Sequence, residues 1–142
     1  MPNNATLKAM NAIHKTVLLL SGGRAGWNVG NMPVIKLTTT GRVSGQSREV
    51  MLTCPVVEND TYVVVASRGG DDIHPAWFLN LRDNPVVWVQ GPEGPKHERR
   101  ARIGSPAERA ALWPRITSSY KGYAGYQEKT DREIPIVFLE RP

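Results

Sequence analysis

The chain has 142 residues, 40% of them hydrophobic and 22% charged, with a formal net charge of +5. That is enough chain to bury one core and too apolar to be disordered; the positive balance favours acidic partners (nucleic acid, anionic lipid or a polyanionic small molecule) without choosing among them. A lone cysteine, Cys54, excludes an intrachain disulfide framework or a cysteine-based zinc cluster, and a reduced cytoplasmic setting fits it.

Leu7, Met10, Ile13, His14, Val17 and Leu18 recur at three- and four-residue spacing, which predicts a helix over residues 6–20 ended by Ser21-Gly22-Gly23. Its apolar face packs on the domain or, as the minority reading helped by Lys8, Lys15 and Arg24, lies on a membrane surface. Val17-Leu18-Leu19-Leu20 is too short for a signal core or a membrane span. Residues 33–40 and 47–57 read as strands around a polar loop. Glu58-Asn59-Asp60 is a turn, and Thr61–Ser67 a third, β-branched strand. After the Arg68–Asp72 loop, a short helix starts near Pro75 and runs through Leu81. Strands follow at Val86–Gln90 and His97–Ile103. Ser105-Pro106-Ala107-Glu108 is a capping box that opens a helix, which Pro114 should bend or end. Ile134–Leu139 is the last strand.

Six short strands in neighbouring runs, with few helices, favour an antiparallel small barrel in a single domain of residues 1–142. The first 24 residues read as a helical extension. Neither Gly-x-Gly-x-x-Gly nor a P-loop is present, which argues against a Rossmann or Walker nucleotide site. No second histidine stands at ligand spacing to His74, so no metal site is expected.

Four stretches concentrate chemistry. "TTTGRVSGQSR" (residues 38–48) carries two glycines that let amides converge, hydroxyls at Ser44 and Ser47, and guanidinium forks at Arg42 and Arg48 that suit phosphate. Pattern alone leaves it open between a solvated hairpin turn and an anion cradle. "ASRGG" (66–70) repeats the ingredients at another strand end. "HPAWFLN" (74–80) follows directly, with Trp77 open between core packing and ligand stacking. "YKGYAGY" (120–126) spaces three tyrosines by three. Gly122 and Gly125 weaken that helix by roughly 1 kcal/mol each, so residues 118–130 read as a mobile flap bearing phenols or as an aromatic cluster over a core edge.

These stretches, with "YQEKTDREIPIVFLERP" closing the chain, resemble the deazaflavin-dependent nitroreductases, the coenzyme F420-dependent quinone reductases of actinobacteria. The resemblance runs from about Val34 to Leu139. It implies a split β-barrel akin to the flavin-mononucleotide-binding oxidases, mainly β with flanking helices, and hydride transfer from reduced F420 to a quinone, nitroaromatic or activated alkene. By position it assigns Arg42, Val43, Ser44 and Arg48 to the cofactor's phosphate and acidic tail. Glu49, Val50, Met51, Leu52 and Thr53 would run beside the ring, with Ala66, Ser67 and Arg68 on its other side. Pro75, Ala76, Trp77 and Asn80 would complete that pocket. Tyr120, Tyr123 and Tyr126 would close over the acceptor, with Thr53 and Ser67 beside it and Tyr123 also reaching the cofactor. Ser67 and Tyr126 are the candidate donors to the oxyanion left by hydride addition, alongside solvent. The chain departs from the family pattern at Val43 (usually lysine or arginine), Ser47 (usually proline) and Arg68 (usually lysine).

Two other readings compete: a flavin-mononucleotide split-barrel oxidase, and a basic barrel binding single-stranded nucleic acid through stacked tyrosines. The second is disfavoured because the basic residues form no run along one strand.

Overall fold

The structure, a computed structural model, describes residues 28–29, 32–91 and 94–142. The helix expected over residues 6–20 and the 1–24 extension lie outside them. Eight described strands form one sheet: β1 (Asn28–Val29), β2 (Met32–Thr40), β3 (Ser47–Thr53), β4 (Val56–Glu58), β5 (Thr61–Val65), β6 (Val86–Gln90), β7 (His97–Ile103) and β8 (Ile136–Glu140). Among the described residues three α-helices accompany them: α1 (Ala76–Asp83), α2 (Pro106–Ser119) and α3 (Gly122–Glu128). Every strand pairing is antiparallel, in the order β1-β2-β6-β7-β8-β5-β4, with β3 also on β2.

That order fixes the shape. β3 stands beside β2 and β4 beside β5, at opposite ends of the sheet, yet only Cys54 and Pro55 separate them in sequence. A flat sheet would set these ends about 29 Å apart at ~4.8 Å per strand. The three steps from Thr53 to Val56 reach at most about 11 Å. The sheet must therefore curl back on itself, which gives the split barrel. The uninterrupted strand expected over residues 47–57 is thus two strands. Cys54 still donates its amide to Pro33 (2.8 Å), and Pro55, which has no N–H, comes where the chain changes partners.

Strand alternation sorts the side chains onto two cores. Inside the barrel lie Ile35, Leu37, Val64, Val87, Val89, Val137 and Leu139, closed by Trp77, Phe78 and Leu81 of α1. Val63, Val65 and Ile136 point the other way and pack with Ile116 of α2, Tyr123 of α3 and Ile134. Each fully buried side chain of this size stabilises by about 1.5–3 kcal/mol relative to exposure. Cys54 is core: it bonds the carbonyls of Val56 and Val63 (both 3.2 Å), and burial pushes its thiol up to about 12.

The capping box forms as the sequence indicates. Glu108 N donates to Ser105 Oγ (3.2 Å) and Ser105 N to Glu108 Oε1 (2.9 Å). Pro114 does not end the helix, which continues to Ser119. The bond that Pro114 cannot make would have gone to the Ala110 carbonyl, on an exposed residue where a freed acceptor can be solvated.

Candidate active site

The Thr40–Ser47 connection is both a turn and a shaped pocket wall. Gly41 donates to Gln46 O and Gly45 to Gly41 O (both 2.8 Å), and Gly45 takes φ +72°. A Cβ at Gly41 would come within 2.6 Å of Ser44 Oγ, so the glycine admits the hydroxyl. Ser44 Oγ in turn accepts from Gln46 N (3.2 Å) and Arg48 Nη2 (3.3 Å). Asn80, 4% exposed on α1, supports the loop from below. Its Oδ1 accepts from Arg42 N (3.2 Å) and Arg42 Nη1 (2.9 Å), and its Nδ2 donates to Thr39 Oγ1 (3.2 Å). Neither Arg42 nor Arg48 has a carboxylate partner among the described residues. Glu49, their neighbour, pairs with Lys36 at 3.1 Å. Two oriented positive charges thus flank the β2–β3 loop with no acid among the described residues to cancel them. Val43, at the loop tip, is 93% exposed.

The second glycine loop turns more sharply. Arg68, Gly69 and Gly70 have φ of 48°, 66° and 85°, three successive left-handed residues. Arg68 forms an ion pair with Asp71, so its charge is largely satisfied within the loop. Ser67 Oγ makes no hydrogen bond among the described residues and is available to a ligand. Behind the loop sits Arg132. It donates to the carbonyls of Ala66 (3.1 Å), Ser67 (3.0 Å) and Asp71 (3.0 Å), and contacts His74 Nδ1 at 3.1 Å. Burial, then the charges of Arg132 and Arg82, hold the His74 imidazole below its ordinary value, so it stays neutral at pH 7.

The tyrosines gather at the far end of β3. Tyr120 follows α2, while Tyr123 and Tyr126 belong to α3, and the three ring centroids lie 5.3–6.4 Å apart. Tyr123 is buried, and its hydroxyl shares a 2.5 Å hydrogen bond with Thr53 Oγ1. Burial pushes the Tyr123 phenol up to about 12; burial and Tyr120 raise that of Tyr126. Both phenols are therefore protonated at neutral pH. Gly122 lets the Tyr120 ring lie against the chain, since a Cβ there would meet Tyr120 Cε2 at 2.1 Å. Gln127 secures the helix: its Oε1 accepts from Arg109 Nη2 (2.7 Å) and Ile134 N (2.9 Å), and its Nε2 donates to Arg132 O (2.7 Å).

All three regions open on one cleft of about 880 Å³. Its walls include Arg42, Val43, Ser44, Arg48, the whole stretch Glu49–Thr53, Ser67, Arg68, Pro75, Ala76, Trp77, Asn80, Tyr120, Tyr123 and Tyr126. Of the residues expected at the site, Ala66 alone stands outside the lining, fully buried behind Ser67. Gly41 and Gly69, expected to shape the two loops, also line the cleft, as do Met32, Thr39 and Val65, to which the sequence pattern assigns no role. Thr39 was in principle legible, because it pairs with Arg48 across the β2–β3 register. From Arg48 to Thr53 the cleft follows β3 for about 17 Å at ~3.4 Å per residue. An elongated ligand with an anionic end and a flat end fits that wall: guanidinium groups at one end, aromatic rings at the other. Among the described residues no group of three His, Cys, Asp or Glu side chains could hold a metal ion.

Residues 11–141 match the sequence pattern of the F420H(2)-dependent quinone reductases. The chain belongs to that family. An F420H(2)-dependent quinone reductase of Mycobacterium tuberculosis (strain ATCC 25618 / H37Rv) is 34% identical over 139 residues, covering 91% of this chain and 88% of the relative. A solved F420-H2 dependent reductase (FDR-A) is 43% identical, with TM-score 0.67 over 76% of this chain and 94% of that one. A further structure, titled as a domain-swapped dimer, is 38% identical, with TM-score 0.69 over 94% and 98% of the two chains. As a member of this family the protein is an oxidoreductase, its cofactor is coenzyme F420 and its acceptor is a quinone. The split-barrel fold expected from the resemblance is the fold observed. Among the described residues, no helix is long and apolar enough to cross a membrane.

Proposed function

We propose that the cleft along β3 holds reduced F420 and a quinone together, with the roles of its walls divided by chemistry. The observation that carries this reading is a single cleft joining Arg42 and Arg48, without carboxylate partners among the described residues, to the three clustered tyrosines. When bound, the deazaflavin supplies a hydride, and the protein's part is binding, orientation and electrostatics. Arg42, Ser44 and Arg48 would hold the phosphate and acidic tail through charge-assisted bonds. The β3 stretch Glu49–Thr53 would flank the ring on one side, with Ser67, Pro75, Ala76 and Trp77 on the other. Asn80 would act through Arg42, setting the guanidinium before the ligand arrives.

Tyr120, Tyr123 and Tyr126 would cover the acceptor and exclude water from it. A quinone that has taken up a hydride carries an oxyanion, and donors placed there stabilise the transition state. Ser67 Oγ and Tyr126 Oη would donate to that oxyanion, with solvent as the alternative source. Nitroaromatics and activated alkenes are flat hydride acceptors of the same kind and belong to the proposed range. The 118–130 segment would move as the acceptor enters, with the Thr53–Tyr123 bond as the contact it breaks and remakes.

The test replaces Arg42 and Arg48 together with alanine and titrates oxidised F420 by fluorescence polarisation. Cofactor affinity should fall by about 100-fold, as expected for losing two charge-assisted contacts, with the melting temperature kept. Unchanged affinity would reduce the loop to a turn.

A further inference from the structure

Arg132 lines no part of the cleft, yet its guanidinium is committed to the backbone beside it. An arginine has five N–H donors. Here each has an acceptor: Nε with Asp71 O (3.3 Å), Nη1 with Ala66 O and His74 Nδ1, Nη2 with Ser67 O and Asp71 O. No carboxylate pairs with it among the described residues. The acceptors bracket the left-handed run Arg68–Gly70, with two carbonyls before it and one after. Arg68 is a non-glycine residue at positive φ, a conformation that needs surrounding structure to hold it. Arg132 is itself held from α3, since its carbonyl accepts from Gln127 and its amide donates to Thr130 Oγ1 (3.2 Å). Gly70 packs directly on the α3 backbone, where a Cβ would meet Tyr126 O at 2.7 Å.

We infer that Arg132 is a positioning residue for hydride transfer: it clamps the Ser67–Gly70 turn so that the Ser67 hydroxyl is fixed relative to the tyrosine helix. A gate built on two loops needs such a cross-brace, because Ser67 and Tyr126 come from segments about sixty residues apart in sequence. The reading rests on Ser67 serving the acceptor, as proposed above. It goes beyond it in assigning the geometry to a side chain that touches neither cofactor nor substrate.

The experiment compares Arg132→Gln, Arg132→Lys, Ser67→Ala and the Arg132→Gln/Ser67→Ala double variant. Its readouts are kcat, quinone KM, F420 affinity, and amide hydrogen exchange at Ser67–Gly70 in the cofactor-free protein. A misplacement of about 1 Å in a reacting group lowers rate by up to about 100-fold. Arg132→Gln should therefore lower kcat by about 10-fold or more, leave F420 affinity within about 3-fold and speed exchange at Gly69 and Gly70. Lysine retains one charge but not the fork, so rescue should be partial. The double variant should be no slower than the worse single variant, because both changes remove one function. Full multiplication of the two losses, or an Arg132→Gln protein with native kcat and native exchange, would overturn the proposal. If Ser67→Ala alone is inert while Arg132→Gln both slows turnover and weakens protection of the turn, Ser67 is not the donor but the brace stands.

Discussion

Asn80 offers a way to separate the shape of the anion cradle from its charge. Its side chain is buried and makes three hydrogen bonds, two to Arg42 and one to Thr39. Asn80→Ala removes all three and strands the Arg42 amide and the Thr39 hydroxyl. At about 1 kcal/mol for each neutral bond and somewhat more for the one to the guanidinium, the loss is about 3–4 kcal/mol. That is a large part of a typical stability of about 5–15 kcal/mol. Asn80→Asp keeps the Oδ1 acceptor for both Arg42 donors, and the Thr39 hydroxyl can turn to donate to the second oxygen. The fold should then survive while a negative charge sits against Arg42. A phosphate at about 7 Å from that carboxylate feels a repulsion of about 2 kcal/mol at an effective dielectric near 20, or about 30-fold in affinity. Urea unfolding measures the first effect and polarisation of oxidised F420 the second. The alanine variant should be unstable, and the aspartate variant should be stable but bind about 30-fold more weakly, with the deficit shrinking in salt. An Asn80→Asp protein that binds F420 as tightly as the native one would refute the claim that Arg42 meets the anionic end.

Two further outcomes follow from the glycine turns and the imidazole. Gly45→Ala and Gly70→Ala both place alanine at positive φ, at about 1–2 kcal/mol. Gly45 has open space around its missing Cβ whereas Gly70 faces the Tyr126 backbone at 2.7 Å, so urea unfolding should find Gly70→Ala the more destabilised; equal losses would mean α3 does not dock there. His74 has a folded pKa below its ordinary 6.5, through burial and then Arg132 and Arg82. Falling pH therefore protonates the unfolded chain first, and stability should decline below about pH 6.5 until the folded imidazole titrates as well. Above that window the group contributes nothing to the pH dependence, and His74→Gln should flatten the decline; an identical slope in the variant would place its origin elsewhere.

The parts of the site visible in the sequence were those whose chemistry is local. Gly41-Arg42 and Ser67-Arg68-Gly69-Gly70 carry their turn residues and donors within a few positions, and the three-residue spacing of Tyr120, Tyr123 and Tyr126 already groups the rings. Ser105 and Glu108 state their capping box outright. What stayed hidden acts across the fold. Arg132 works on carbonyls more than sixty positions earlier, and no pattern in its neighbourhood marks it. Asn80 stood out as a pocket residue, but its hold on Arg42 depends on α1 lying under the β2–β3 loop. The break at Cys54-Pro55 was masked by the apolar run around it, since Val50, Met51 and Leu52 of β3 and Val56 and Val57 of β4 read as one strand and only sheet closure separates them. Of the two outcomes expected at Pro114, a bend or an end, the end does not occur, because α2 continues to Ser119 past a proline on an exposed stretch.

On the proposed reading, quinone and reduced F420 meet in the cleft between β3 and the tyrosine helix. Stopped-flow mixing of the protein and reduced F420 with menadione, followed at the absorbance of oxidised F420, tests it most directly. The rate should saturate in both reactants and fall sharply in the Arg42→Ala/Arg48→Ala protein at low cofactor concentration. Recovery no faster than in the protein-free control, or a rate indifferent to those two arginines, would contradict it.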